Sequence, residues 1–327
     1  MTVDASPPPG DAPVVAMRGL GKRYGDVAAL QDLHLTVPAR TIVGFLGPNG
    51  AGKTTAMKLL VGLARPSTGS AEVFGLDVTT HGPAIRSRLG YLAQEPRFYE
   101  HLSARETLRF VGRFFYDGPE QAPARRIDDL LDFVGLVDKA DRPIRGFSGG
   151  ERQRLGIAQA NVNDPELLLM DEPAASLDPA GRQAVLAILE RLRERTTVFF
   201  STHILDDVER VADRVAILDR GRLLAHAPTT ELLAGDGEST FSLRLRGPHR
   251  SVVDRLERQP WVERVESRPD AGEQLLQVQV RDVGAAETQL LRLALAEPEV
   301  IVSSYGRRSF ELEDVFLRLV EGARERT

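Results

Sequence analysis

The sequence predicts an α/β protein in two parts, a large one built on a mostly parallel β-sheet and a smaller C-terminal one. Segments with strand-like and helix-like spacing alternate over residues 14–228, as they do where helices cover both faces of a parallel sheet. After a stretch rich in Gly, Asp and Ser around residues 228–240, the pattern restarts with short strands and helices of its own. The length of 327 residues is enough for about two domains.

In the first part, apolar segments of strand length alternate with helical segments. The predicted strands are residues 14–18, 33–37, 41–46, 72–74, 167–170, 197–201 and 214–218. The predicted helices are residues 53–63, 151–162, 180–194 and 204–212. Helical spacing interrupted by Pro and Gly over residues 103–137 predicts a helical subdomain at about 95–160.

In the second part, the elements follow the order β-α-β-β-α-β and then α. The predicted strands are residues 241–245, 262–267, 274–280 and 300–304, and the predicted helices are residues 252–258, 284–296 and a last one from about 310. This order is the split βαβ arrangement of small ferredoxin-like domains. We therefore expect domains at 14–228 and 241–327, a linker at 229–240, and a disordered tail rich in Pro, Asp and Ser at 1–13.

Composition excludes several kinds of site. The chain has no cysteine, which rules out disulfides, thiolate zinc sites, iron–sulfur clusters and cysteine nucleophiles. Its 47 acidic and 42 basic residues give a net charge of -5, which disfavours nucleic-acid binding. We find neither an apolar run of about 18 residues nor a signal peptide, so we expect a cytoplasmic protein that is at most peripheral to a membrane.

A glycine-rich loop follows the strand predicted at 41–46 and fits the pattern G-x-x-x-x-G-K-[ST]. Glycines let the backbone fold around oxyanions, so that N–H groups donate to phosphate, and the dipole of the following helix adds positive potential. Lys53 is expected to meet the β- and γ-phosphates and Thr54 to ligate Mg²⁺. A chance glycine-rich turn is disfavoured by the flanking strand and helix. The expected phosphate-binding residues are Gly47, Pro48, Asn49, Gly50, Ala51, Gly52, Lys53, Thr54 and Thr55.

Two acids follow four apolar residues in the segment LLLMDEP, which is typical of a buried strand whose end emerges at the ligand edge of a parallel sheet. Asp171 is expected to reach Mg²⁺ through water, and Glu172 to act as the general base on the attacking water. Alone, the segment would more often be a strand ending in an acidic turn. The phosphate loop upstream favours the catalytic interpretation.

A second anion cradle is predicted where a serine and two glycines begin a helix. An ordinary helix cap is the alternative for such a triplet. Its place between the phosphate loop and the Asp-Glu strand favours a phosphate contact. The residues are Ser148, Gly149, Gly150 and Glu151.

With these motifs in this order, residues 14–228 resemble the ATP-binding subunit of an ATP-binding-cassette (ABC) transporter, a P-loop NTPase fold. The resemblance implies ATP and Mg²⁺ as cofactors. It also adds four landmarks: Tyr24 as the aromatic that stacks on adenine, Gln94 in the Q-loop, Ser176–Asp178 as the D-loop, and His203 as the switch histidine. Alone, Tyr24 would be a surface aromatic, Gln94 a loop residue and His203 a core or cap histidine.

The resemblance assigns roles to these residues. Glu172, His203 and Gln94 form the catalytic set, with His203 on the γ-phosphate, and Thr54, Gln94 and Asp171 form the metal set. The chain departs from the family pattern at four positions, where Leu, Gln, Thr and Gly are more usual, which puts contacts across a dimer in doubt. These positions are Phe147, Glu151, Ala174 and Ser176.

The family implies a motor that works as a head-to-tail pair, in which ATP lies between the phosphate loop of one subunit and Ser148–Gly150 of the other. A homodimer is expected and a heterodimer remains open. The partner would be a separate membrane permease, docking near residues 95–106, where Phe98 and Tyr99 offer apolar anchors. The tail Leu312–Leu319 resembles that of cassettes which serve ABC-2-type permeases, mostly exporters. Two alternatives stay open: an ABC ATPase acting on ribosomes or nucleic acid, and a nucleotide-gated module without turnover.

Overall fold

The computed structural model describes residues 12–116, 124–234, 239–270, 272–307 and 312–324. The chain divides into two compact units, one comprising Met1–Thr229 and Arg318–Thr327 and the other Thr230–Leu317. Within the described ranges, no helix has the length and apolar character needed to cross a bilayer. Residues 1–11 of the predicted tail and 235–238 of the predicted linker lie outside the described residues.

The first unit alternates strands and helices, as the sequence predicts. Its strands are β1 (Val15–Tyr24), β2 (Val27–Val37), β3 (Ile42–Leu46), β4 (Thr68–Val73), β5 (Leu76–Asp77), β6 (Leu89–Leu92), β7 (Leu167–Asp171), β8 (Thr197–Thr202), β9 (Arg214–Asp219) and β10 (Arg222–Pro228). Its helices are α1 (Lys53–Leu60), α2 (Gly82–Arg86), α3 (Ala104–Gly112), α4 (Ala124–Phe133), α5 (Gly149–Ala160), α6 (Pro179–Leu192) and α7 (Leu205–Val211), with 3₁₀ turns at Val137–Lys139 and Ile144–Gly146.

The central sheet has six strands in the order β10-β9-β3-β8-β7-β6. All neighbours are parallel except β9 and β10, which confirms the mostly parallel sheet. Strands β3, β7 and β8 are buried along their whole length, because helices and the second sheet leave neither face to solvent. Their carboxyl ends meet at one edge, and this brings together the loop after β3 and the residues that end β7 and β8.

A second sheet, in the order β2-β1-β4-β5, is antiparallel throughout. The two sheets share one apolar core that includes Leu20, Leu33, Phe45 and Phe199. Here the predicted boundaries were too narrow, and β5, β6, β10 and α2 were not predicted. Strand β10 lies at the edge of the sheet and is half-buried, and its apolar residues are mixed with Arg222, His226 and Pro228, so it lacks the longer apolar run that identifies its buried neighbours.

The second unit has the predicted element order. Its elements are α8 (Thr229–Ala234, which begins in the first unit), β11 (Ser239–Arg246), α9 (Arg250–Glu257), β12 (Val262–Asp270), β13 (Glu273–Val280), α10 (Val283–Leu295), β14 (Ile301–Arg307) and α11 (Leu312–Arg324, which ends in the first unit). The sheet is antiparallel, in the order β12-β13-β11-β14, which confirms the ferredoxin-like arrangement. Leu243 and Val278 of this sheet share a core with Leu256 and Leu290 of the two helices.

Candidate functional site

The glycine-rich loop between β3 and α1 has the backbone geometry of a phosphate cradle. Gly50 and Gly52 have φ angles of +82° and +108°, a region that residues with a Cβ rarely adopt. A Cβ on Gly52 would lie 2.4 Å from the carbonyl oxygen of Ala29, so only glycine fits. Pro48, Asn49 and Gly50 are exposed, whereas Gly47 is buried and its N–H donates to the Thr202 carbonyl at 3.2 Å.

Lys53 begins α1 and is 5% exposed. Its Nζ lies 2.6 Å from the Gly47 carbonyl oxygen, 3.2 Å from that of Pro48 and 3.1 Å from Glu172 Oε1. The ammonium therefore lies directly under the loop, paired with a carboxylate as a buried cation must be. Thr54 and Thr55 follow it in the first turn of the helix, both half-buried.

Asp171 ends β7 and is 1% exposed. Its Oδ1 accepts a hydrogen bond from Thr54 Oγ1 at 3.1 Å. The two predicted metal ligands are thus adjacent and offer oxygen atoms, the donor type that Mg²⁺ prefers. Within the described ranges, no group of three or more His, Asp or Glu side chains is arranged to hold a metal. The oxygen pair of Thr54 and Asp171 fits an ion that takes its other ligands from phosphate and water, as Mg²⁺ does beside nucleotides.

Glu172 connects Lys53 to His203, the residue predicted to be the switch histidine. Besides the contact of its Oε1 with Lys53, its Oε2 lies 2.9 Å from His203 Nδ1. Its backbone is left-handed, with φ of +50°, a conformation uncommon for a residue with a side chain. His203 follows β8 and its side chain is 43% exposed. The Glu172 carboxylate is therefore buried and is held on one side by Lys53 and on the other by a histidine that faces solvent.

Ser148 begins α5 with a reciprocal cap. Its Oγ accepts from the Glu151 N–H at 3.3 Å, and Glu151 Oε2 accepts from the Ser148 N–H at 2.8 Å. The other Glu151 oxygen accepts from Lys139, which lowers the pKa of the Glu151 carboxyl, and the backbone N–H of Ser148 lowers it further. Both oxygens of the Glu151 carboxylate therefore accept hydrogen bonds from residues of the same chain.

A cleft of about 460 Å³ lies beside this cap. The first turn of α5 and the segment Ser176–Asp178 line it together, and residues 47–55 contribute nothing to its described lining. Ser176 is left-handed with φ of +59°, which explains why glycine is more usual there. Asp178 caps α6 through a hydrogen bond from the Gly181 N–H at 2.9 Å.

In the described part of the chain, Tyr24 and Gln94 do not belong to the hydrogen-bonded group that contains Asp171 and Glu172. Tyr24, at the end of β1, is 50% exposed, and Lys22 Nζ lies 4.9 Å from its ring centroid. Gln94, two residues after β6, is exposed. No hydrogen bond within the described chain joins either side chain to Asp171 or Glu172. Their roles stay predictions.

Two residues beside the acids were not predicted. Ser201, fully buried on β8, contacts both Asp171 and Glu172. Tyr91, on β6, has a pKa raised to about 12, first by burial and then by the charge of Asp171. The sequence signal for Ser201 was its place two residues before His203, on the strand next to that of Asp171.

Comparison with known proteins agrees with this geometry. A family model described as ABC transporter matches residues 30–175. The daunorubicin/doxorubicin resistance ATP-binding protein DrrA of Streptomyces peucetius is 38% identical over 307 residues, which cover 92% of this chain and 90% of DrrA. The Nod factor export ATP-binding protein I of Ralstonia nicotianae is 36% identical over 68% of this chain and 70% of its own.

A solved structure shows the same likeness in three dimensions. The protein cbiO1 from Clostridium perfringens, part of the ABC transporter complex cbiONQ, is 26% identical and superposes with a TM-score of 0.63. The match covers 69% of this chain and 92% of cbiO1.

Proposed function

This chain belongs to the ABC transporter family of ATP-binding subunits, and we propose that it is the ATP-hydrolysing motor of an exporter. The convergence of Lys53, Glu172 and His203 at one sheet edge supports this most directly. This edge is where a parallel α/β sheet binds its ligand, and it holds a cation for phosphate beside a carboxylate for water. Hydrolysis rather than mere nucleotide binding is expected, because both Glu172 and His203 are present and in contact.

The proposal includes Mg²⁺, with Thr54 and Asp171 as the residues that would hold it and Gln94 as a further ligand. When bound, the ion would neutralise charge on the phosphate oxygens. The protein's own groups do the rest. The N–H groups of the glycine loop orient the phosphates, Lys53 balances their charge, Glu172 accepts a proton from water, and His203 holds the Glu172 carboxylate in place.

Two relatives support export. DrrA is named for drug resistance, and the Ralstonia relative is named for Nod factor export. We infer that this chain, too, serves an ABC-2-type permease, on the inner face of the cell membrane. The cargo would contact the permease, not this subunit. The tail resemblance at Leu312–Leu319 supports the same assignment.

We infer a functional pair of two copies. The cleft beside Ser148 and the phosphate loop have separate linings within one chain, so each is available to a second subunit. ATP bound between them would favour the closed pair, and loss of the γ-phosphate would favour the open one, which is how a nucleotide shifts a partner between conformations.

The permease contact is expected at an aromatic patch, which we define as Tyr99, Phe110 and Phe114. Their rings meet edge to face, with centroids 5.9 Å apart for Tyr99–Phe110 and 5.5 Å apart for Phe110–Phe114. They are 61%, 39% and 72% exposed, and a group of exposed aromatic rings is typical of a protein contact surface. The patch includes Tyr99 of the predicted segment, Phe110 on α3 and Phe114 just beyond the end of that helix, whereas Phe98, the other predicted anchor, is half-buried.

The experiment that tests the proposal is reconstitution. The chain is co-expressed and purified with a candidate ABC-2-type permease, placed in liposomes, and assayed for phosphate release from Mg-ATP. We expect the permease to stimulate hydrolysis. Stimulation by added ribosomes instead, or absence of hydrolysis in the reconstituted complex, would contradict the motor assignment.

A further inference from the structure

Ser201 lies between the two acids of the site. Its Oγ donates to Asp171 Oδ1 at 2.6 Å and accepts from the Glu172 N–H at 2.9 Å, and the side chain is fully buried. Strands β7 and β8 are parallel neighbours whose register places Ser201 opposite Asp171, so the contact follows from the sheet itself. One hydroxyl therefore contacts the side chain of one acid and the backbone of the next.

The contact with Asp171 fixes the plane of its carboxylate. Oδ1 accepts from Thr54 Oγ1, on α1, as well as from Ser201, on β8. Two donors from different elements on one oxygen oppose rotation of the group. A hydrogen bond to an ionised acceptor is also stronger than one between neutral groups.

The contact with Glu172 supports a strained backbone. A left-handed φ of +50° is unfavourable for glutamate and persists only where surrounding contacts hold it. Ser201 provides one such contact at the Glu172 N–H. This conformation places the Glu172 carboxylate between Lys53 and His203.

We propose that Ser201 is a positioning residue for ATP hydrolysis, which holds the Asp171 carboxylate and the Glu172 backbone in their working geometry. The proposal rests on the roles given to these two acids in the proposed function. The alternative is a serine that only satisfies a buried backbone N–H. Loss of such a serine would lower stability and leave the chemistry unchanged.

The chain offers a matched control on the same strand. Thr197, at the opposite end of β8, is also buried, and its Oγ1 accepts from the Arg40 N–H at 2.9 Å. Ser201→Ala and Thr197→Val each remove one buried hydroxyl, and the midpoint of urea unfolding reports the stability cost of each. We expect kcat to fall about ten- to a hundredfold in Ser201→Ala only, with KM for Mg-ATP rising in the same variant as the contribution of the metal to binding falls.

A second readout does not depend on turnover. The affinity of a fluorescent ATP analogue is measured in MgCl₂ and in EDTA, and the ratio of the two affinities gives the contribution of the metal. We expect a smaller ratio in Ser201→Ala than in the wild type, and an unchanged ratio in Thr197→Val. Wild-type kcat in Ser201→Ala, or an unchanged ratio, would overturn the proposal.

A third variant keeps the test decisive if Ser201→Ala does not fold. Ser201→Cys has a similar volume and only a weak donor, so we expect a folded protein with reduced kcat. Wild-type kcat in this variant would overturn the proposal equally. Failure of the wild-type protein to hydrolyse ATP would instead count against the proposed function, so the two failures are distinguishable.

Discussion

Lys53 Nζ lies 3.1 Å from Glu172 Oε1, and both side chains are about 95% buried, at 5% and 6% exposure. His203 Nδ1 contacts the other carboxylate oxygen at 2.9 Å. The cation expected to bind phosphate is therefore paired with the carboxylate expected to activate water. Because a phosphate in the glycine loop would attract the same ammonium, binding of ATP and release of the Glu172 carboxylate from Lys53 are expected to be coupled.

We predict that Glu172→Gln keeps ATP affinity and lowers turnover by about two orders of magnitude or more, because the amide cannot accept a proton from water. The amide is nearly the same size, so the contact with His203 is retained. ATP should then hold the closed pair, and gel filtration in Mg-ATP should show a dimer that the wild type forms only transiently.

Glu166→Gln is the matched control, since Glu166 pairs with Arg88 on the surface, outside the site. It should hydrolyse ATP at the normal rate. A Glu172→Gln variant that stays monomeric in Mg-ATP, or that turns over normally, would show that Glu172 is not the base.

We predict that Lys53→Ala loses ATP affinity and also stability, because it removes the charge expected to bind phosphate and leaves a buried carboxylate without its cation. Breaking a buried ion pair costs about 3 kcal/mol or more. Lys58→Ala, on the exposed face of the same helix, controls for loss of a lysine. Nucleotide titration and urea unfolding measure the two effects, and unchanged ATP affinity in Lys53→Ala would refute the phosphate-loop assignment.

The parts of the site whose residues are contiguous in the chain could be predicted from the sequence. The glycine loop could be predicted because its residues are contiguous and because Gly50 and Gly52 adopt left-handed φ angles that favour glycine. The strand ending in Asp171 was evident because a strand buried on both faces is a continuous apolar run. The ferredoxin-like unit was predictable from element order, since that order permits few sheet topologies.

Contacts between distant segments could not be predicted in the same way. The hydrogen bond of Ser201 to Asp171 forms only because β8 lies next to β7 in the sheet. The ion pair of Glu151 with Lys139 likewise depends on a turn that precedes α5 in the chain. Phe110 and Phe114 fit an amphipathic helix pattern, which does not reveal that solvent faces them. Half-buried strands such as β10 were missed because edge strands lack a clear apolar period.

We predict a pH-dependent stability contribution from Glu151. The Lys139 and Ser148 hydrogen bonds hold its pKa below the ordinary value of 4.5, so the carboxylate is more acidic folded than unfolded. Its stabilisation is therefore fully present above pH 4.5 and is lost as pH falls through the lower, folded pKa. The difference in unfolding free energy between wild type and Glu151→Gln should shrink from pH 7 to about pH 3.5.

Glu106→Gln provides the comparison, because Glu106 caps α3 in the same way and has the charge of Arg109 nearby in place of a hydrogen-bonded lysine. The difference in unfolding free energy between the wild type and Glu106→Gln should also shrink as the pH falls, but by a smaller amount. Urea unfolding of the three proteins across this pH range measures both effects. A wild-type advantage over Glu151→Gln that grows on acidification would contradict the assigned direction.

The aromatic patch gives a prediction that separates docking from catalysis. Because Phe114 is 72% exposed, Phe114→Ser should cost little stability and leave the ATPase rate of the isolated chain unchanged. If the patch binds the permease, loss of one aromatic anchor should weaken membrane association by about tenfold or more. Leu63→Ser is the control, since Leu63 is 68% exposed but outside the patch. Flotation with permease-containing liposomes measures binding, and equal binding by the two variants would locate the permease contact elsewhere on the subunit.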